Sequence, residues 1–206
     1  VAAKTGYYYR FDKSQFRVEN DTRSGVTRAK RVDYGLTKVA YGPLVEHALE
    51  EAIEYDVRDS YPSPMDARAD ATTNVTNRLA LGHEKVVADM LTDTAVVTQN
   101  TTLSGTSQWS DFGNSDPFGD IQTGMDTIQA AAIVTANTFA MGYQVWAKLR
   151  QHPDLLGRLS VAAVRSLTED LLASLIGVEN ILVGKAMNNT VDEGQADTLG
   201  FIWGKN

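Results

Sequence analysis

Residues 115–184 read SDPFGDIQTGMDTIQAAAIVTANTFAMGYQVWAKLRQHPDLLGRLSVAAVRSLTEDLLASLIGVENILVG, and the order of signals in this stretch decides the fold class. Asp116-Pro117 breaks the incoming segment, because proline has no N–H and restricts the residue before it. Asp120 is placed to cap a helix in which Ile121, Met125, Ile128 and Ala132 recur at helical spacing. An apolar strand follows at 138–141, then a second helix running to Gln151-His152-Pro153. Thr168, Glu169 and Asp170 open a last helix, where hydroxyl and carboxylate groups favour the positive end. Leu171, Leu172, Leu175 and Ile176 make its buried face, and Gly177 its stop. A strand at 180–183 closes the stretch. Helix, strand, helix, helix, strand describes an α/β unit whose helices cover a small sheet.

Working outward, residues 65–93 hold the longest helical pattern, about 40 Å at 1.5 Å per residue. Val75, Leu79, Val86 and Met90 form its apolar stripe and are expected to be buried. Gly82 falls mid-helix. His83-Glu84 begins like a zinc-protease motif, but Val87 stands where the second histidine belongs. Tyr61-Pro62-Ser63-Pro64 is a rigid joint before this helix. Pro43 is expected to open a shorter one with Leu44, His47, Ala48, Glu51, Ala52 and Tyr55 on one face. His47 among Glu46, Glu50 and Glu51 matches no standard metal-ligand spacing. Residues 95–97 and 101–103 look like short strands, and 186–206 like a glycine-punctuated extended excursion.

The N-terminal stretch differs in kind. Residues 7–11 and 15–18 are aromatic and β-branched, 19–27 are turn-like, and 30–41 alternate with Val32, Tyr34 and Leu36 on one side. This predicts a long hairpin over residues 6–41. It carries few large aliphatics, and an isolated two-stranded ribbon is marginal in water, so it needs another surface.

Charge follows the same division. Residues 1–35 hold eight Lys/Arg against four Asp/Glu, +4; residues 36–100 hold five against eleven, −6; the remainder six against eleven, −5. The pattern fits a solvated basic hairpin or, as a sharper reading, a basic arm that lies on the acidic body of another copy, with Arg10, Arg17, Arg23, Arg28, Lys30 and Arg31 the candidates for reaching it. The acidic body argues against a general nucleic-acid binder.

The chain has 206 residues, 43% of them hydrophobic, enough for a sizeable core. No run approaches a membrane span. Cysteine is absent, which excludes disulfides and thiolate metal sites. The Asn-x-Ser/Thr triplets at Asn20, Asn74, Asn100 and Asn188 read as chance matches. With three histidines and no organised nucleophile, no catalytic site, metal site or cofactor site is expected. Val1 in place of methionine points to a start further upstream, and an apolar strand signal just before Asn206 points to a C-terminal continuation.

Read together, LSGTSQWSD (103–111), SDPFGDI (115–121), NTFAMG (137–142), LRQHPDLLGRL (149–159), LIGVENILVGKAMNNT (175–190), EGQ (193–195) and IWGK (202–205) resemble the major capsid protein of tailed bacteriophages. The resemblance covers nearly the whole chain, with 103–205 its specific part. It implies an α+β fold: residues 1–42 the N-terminal segment and extended hairpin loop, 43–115 a peripheral domain with a long spine helix, and 116–206 an α/β axial domain, without the C-terminal return to the peripheral domain. It implies a structural subunit, not an enzyme, that assembles into hexamers and pentamers of an icosahedral shell around double-stranded DNA, bound without sequence specificity. Portal, scaffold and decoration proteins are the further partners it implies, with assembly in the bacterial host cytoplasm and no membrane. The alternative is the shell of an encapsulin-type compartment. Some relatives cross-link by a Lys–Asn bond, and no motif assigns that role to Lys13, Lys30 or Lys38.

Overall fold

The computed structural model describes residues 4–33, 35–62, 65–159, 167–192 and 194–204. Tyr34, and Ser63 with Pro64 in the expected joint, lie outside them. Helices and strands are mixed, and the chain forms two compact units, Val1–Leu49 and Glu50–Asn206.

The first unit is a ribbon. Strands β1 (Gly6–Phe11) and β2 (Leu36–Tyr41) pair antiparallel from Gly6↔Tyr41 to Phe11↔Leu36. At the neck the Asp12 amide donates to the Gly35 carbonyl at 3.0 Å and Thr37 Oγ1 donates to Asp12 Oδ1 at 2.9 Å. A Cβ on Gly35 would meet the Asp12 carboxylate, so a larger residue there would have to displace that side chain from the neck. The strands expected at 15–18 and over 30–35 are absent among the described residues. Lys13–Phe16 is a 3-10 turn and the loop beyond is irregular. No aliphatic row runs through 18–33 to cover one face, and Val18 and Val26 are fully exposed, so nothing extends the ladder.

In the second unit α1 spans Tyr55–Ser60 and α2 spans Ala67–Thr92. The helix expected from Pro43 is not formed; residues 43–54 have no regular structure. Glu46, Glu50 and Glu54 would have been like charges four residues apart, which oppose helix formation. Helix α2 runs as expected. Asp66 caps it, accepting from Arg68 N at 2.9 Å and Ala69 N at 3.5 Å.

The burial expected of its apolar stripe needs correction. Ala67 and Ala88 are buried and Leu81 and Glu84 half-buried, whereas Val86 is 49% and Met90 52% exposed. Val75 and Leu79 are half-buried. At about 100° per residue, Leu81, Glu84 and Ala88 lie roughly opposite Val86 and Met90. The stripe is real, but the covered side in the C-terminal half is the other one. The strands expected at 95–97 and 101–103 are also missing. Asp93 instead turns the chain, its Oδ1 accepting from Ala95 N at 2.8 Å and its carbonyl from the amides of Val96 and Val97.

Helix α3 (Pro117–Ala132) is capped by Asp116, not Asp120: Asp116 Oδ1 accepts from Gly119 N at 2.9 Å, with Pro117 at the first helical position. Asp120 instead accepts from Trp109 Nε1 at 2.8 Å. Strand β3 (Thr138–Gly142) pairs parallel with β4 (Asn180–Gly184), Thr138 opposite Asn180. Between them lie α4 (Tyr143–Leu149), α5 (Pro153–Arg158) and α6 (Glu169–Ile176), one helix more than expected, because Pro153 restarts the chain after the turn at Gln151. Thr168 and Gly177 terminate α6 as read: Thr168 Oγ1 accepts from Leu171 N, and Gly177 sits at φ 83°. Leu172 and Ile176 are buried, while Leu171 is 37% exposed at the edge of that face.

Leu149, Leu155 and Leu172 are fully enclosed and Leu167 nearly so, with Ile121, Met141, Trp146, Ile176 and Val178 around them. The excursion after β4 folds into a hairpin, β5 (Met187–Asn189) with β6 (Leu199–Phe201). Phe201 stacks on Tyr143 with centroids 5.6 Å apart. Trp203 lies against Gly184, where any Cβ would collide with the indole, and its Nε1 donates to Glu84 Oε1 of α2 at 2.5 Å. The end of the described chain thus ties the α/β unit to the long helix.

Leu172→Ala removes a fully enclosed side chain and is expected to cost about 2–5 kcal/mol, whereas Val86→Ala in this same chain should stay within about 0.5 kcal/mol. Urea unfolding of the two variants checks the contrast.

Candidate functional site

The basic arm of the sequence maps onto the ribbon unit. Residues 1–49 hold nine Lys/Arg against five Asp/Glu, +4, and residues 50–206 hold ten against twenty-one, −11. Arg10, Arg17, Arg23, Arg28 and Arg31 are exposed and close no ion pair among the described residues. Lys30 differs, because it is bonded to Glu19 within the loop, and that contact holds the Glu19 carboxyl below its usual range. Five of the six cations therefore remain available to another molecule, and the sixth helps shape the loop.

The same unit displays its apolar surface. Tyr7, Tyr9, Phe11 and Phe16 are 55–61% exposed. The rule that a monomer exposes only small apolar patches makes a contiguous aromatic row notable as a contact surface. The sequence reading singled out the charges of this ribbon and passed over its aromatics as site residues. Their spacing at 7, 9 and 11, one strand face, was the available signal.

The second unit has two features that resemble sites. Ser115 Oγ stands 3.0 Å from His152 Nε2, the geometry of a nucleophile and its base. However, His152 is wholly buried, and its Nδ1 accepts from the Asp154 amide at 3.3 Å. No carboxylate orients the ring, and Ser115 spends its own hydrogen on the Asp111 carbonyl at 2.6 Å. The serine therefore accepts from Nε2–H, and the imidazole is held neutral as a helix cap. Phe112 packs edge-on against the ring. The second feature is an open apolar cleft of about 280 Å3 among Trp109, Ile121, Met125, Ile128, Phe139 and Ile176. Its carboxylate, Asp120, is engaged by Trp109, and its hydroxyl, Thr138, has no histidine or lysine beside it in the lining. Among the described residues no group of three His, Asp or Glu side chains could hold a metal ion, and no helix is long and apolar enough to cross a membrane.

No protein-family model matches the chain. Across its full length it is 29% identical to the major capsid protein of Burkholderia phage BcepMu, and across 96% of it 26% identical to the major capsid protein of Pseudomonas phage JBD67. The chain is similar to phage major capsid proteins. It spans 66% and 63% of the length of these two relatives. The crystal structure of a phage-related protein from Bordetella bronchiseptica RB50 superposes on 99% of the chain with a TM-score of 0.70 and 29% identity, over 66% of that protein. Both curated capsid-protein relatives are named for a structural role, which accords with charged and aromatic surfaces rather than a catalytic cluster as this chain's candidate site.

Burial holds the His152 imidazole below its ordinary value of about 6.5, with Asp154 and Asp116 opposing that shift. A depressed folded-state value means that the contribution to stability is complete above about pH 6.5 and is lost as pH falls below it. Protonation at Nδ1 would also set a second N–H against the Asp154 amide. The unfolding midpoint should therefore fall as pH drops from 7 to 5. In His152→Asn, which keeps a cap acceptor but does not titrate, it should start lower and lose that slope.

Proposed function

We propose that the chain is the shell-forming part of a tailed-phage major capsid protein. The observation that carries this reading is its similarity, end to end, to two curated major capsid proteins. The named relatives favour a phage head over an encapsulin-type compartment. In this reading residues 1–42 are the extended hairpin loop, 43–115 the peripheral domain with α2 as its spine, and 116–206 the axial domain. The subunits form hexamers and pentamers enclosing double-stranded DNA, with no catalytic step. The acidic body suits a shell that holds its DNA by enclosure rather than by sequence recognition. Portal, scaffold and decoration proteins are its further partners, and assembly takes place in the host cytoplasm.

The geometry supports an assembly role for the ribbon. A ring of identical subunits needs a heterologous contact, one patch meeting a different patch on the next copy. A ribbon unit of charge +4 and a body unit of charge −11 in every copy provide two such patches. Each exposed pair contributes only about 0.2–1 kcal/mol, but the contact recurs at every interface.

Reversing Arg23, Arg28 and Arg31 to Glu in the full-length protein should leave the melting temperature nearly unchanged and abolish or sharply reduce shells by sedimentation velocity. Raised salt should weaken wild-type assembly in parallel. Wild-type assembly by the reversed variant would refute the electrostatic role of the loop.

A further inference from the structure

We propose that one face of the ribbon, carrying Tyr7, Tyr9, Phe11, Leu36 and Lys38, is the surface that docks on the acidic body of a second copy of this chain. The inference rests on the shell-subunit reading and goes further by choosing between the two faces. The pairings Tyr7↔Ala40, Tyr9↔Lys38 and Phe11↔Leu36 place these side chains on one side, since alternate residues of a strand share a face. Tyr8↔Val39, Arg10↔Thr37 and Gly6↔Tyr41 take the other.

The two faces are not equally covered. On the first, Tyr7 is 61%, Tyr9 60%, Phe11 56% and Leu36 44% exposed. On the second, Tyr8 is 51% and Tyr41 40% exposed, the Tyr41 ring lies over Gly6, where a Cβ would strike it, and Val39 is half-buried opposite Tyr8. The first face is the more exposed of the two and carries three of the rings in one row. Lys38 Nζ sits 3.9 Å above the centre of the Tyr7 ring, which plants a cation inside the aromatic row.

A surface that is aromatic and cationic together fits a partner that is acidic and also offers apolar side chains. Residues 50–206 meet both conditions, with a net charge of −11 and with Val86 and Met90 half-exposed on α2. Tyrosine suits such a contact because it brings a large rigid area with little rotamer freedom to lose.

The test is made in the full-length protein with two variants, Tyr7→Ser with Tyr9→Ser on the more exposed face and Tyr8→Ser on the other face. Assembly is read by sedimentation velocity and negative-stain micrographs, and subunit folding by thermal melting. The double variant should lower the assembled fraction about tenfold or more, as loss of a central aromatic contact does. Tyr8→Ser should stay within about twofold of wild type, and all subunits should melt alike. Restoring the rings as Tyr7→Phe with Tyr9→Phe should recover assembly. If the double Ser variant assembles like wild type while the Arg23, Arg28 and Arg31 reversal does not, the ribbon docks but not by this face. If the wild-type protein forms no assembly at any salt concentration, the shell reading itself fails.

Discussion

A ribbon of two strands has two faces and no interior. The side chains of β1 and β2 can cover one another only in part, and cross-strand contacts alone leave such a ribbon marginal. The N-terminal unit meets this constraint without a core: its neck is held by Asp12, Gly35 and Thr37, and its rings and arginines stay in water. Burial is concentrated in the other unit, where Leu149, Leu155 and Leu172 are fully enclosed. One part of the chain folds on itself, and the other leaves its large side chains in water.

Within the acidic body one buried ring joins two segments. His152 illustrates the economy: a single buried imidazole caps α5 through Nδ1 and binds the loop before α3 through Nε2. That arrangement works only for the neutral ring. A Ser–His pair that looks catalytic by distance is a structural joint by burial and hydrogen-bond direction. The same caution holds for the apolar cleft beside Trp109, whose carboxylate is already engaged.

Much of the fold was legible where local signals were strong. The long helix, the β3 and β4 strands, the Thr168 cap and the Gly177 stop all follow from residue type and spacing. The misreadings have physical causes. Asp116 and Asp120 are both good caps, and only Pro117 at the first helical position decides between them. The helix expected from Pro43 had a plausible apolar face, but repeated glutamates one turn apart oppose it. The stripe of Val75, Leu79, Val86 and Met90 is a correct pattern, yet periodicity cannot say which of two apolar faces the rest of the chain covers. Among the candidate residues of the loop, Lys30 was indistinguishable by sequence from its neighbours; its Glu19 partner lies eleven residues away across an irregular turn.

The central claim is that the ribbon of residues 6–41 gains its protection from a second copy rather than from its own subunit. Hydrogen exchange of the full-length protein, as dispersed subunits and as assembled shells, tests it most directly. The account predicts amides of 6–41 that exchange rapidly in the subunit and slow markedly on assembly, while those of α3, α4 and α6 are protected in both. Strong protection of the ribbon already present in the dispersed subunit, unchanged by assembly, would contradict it.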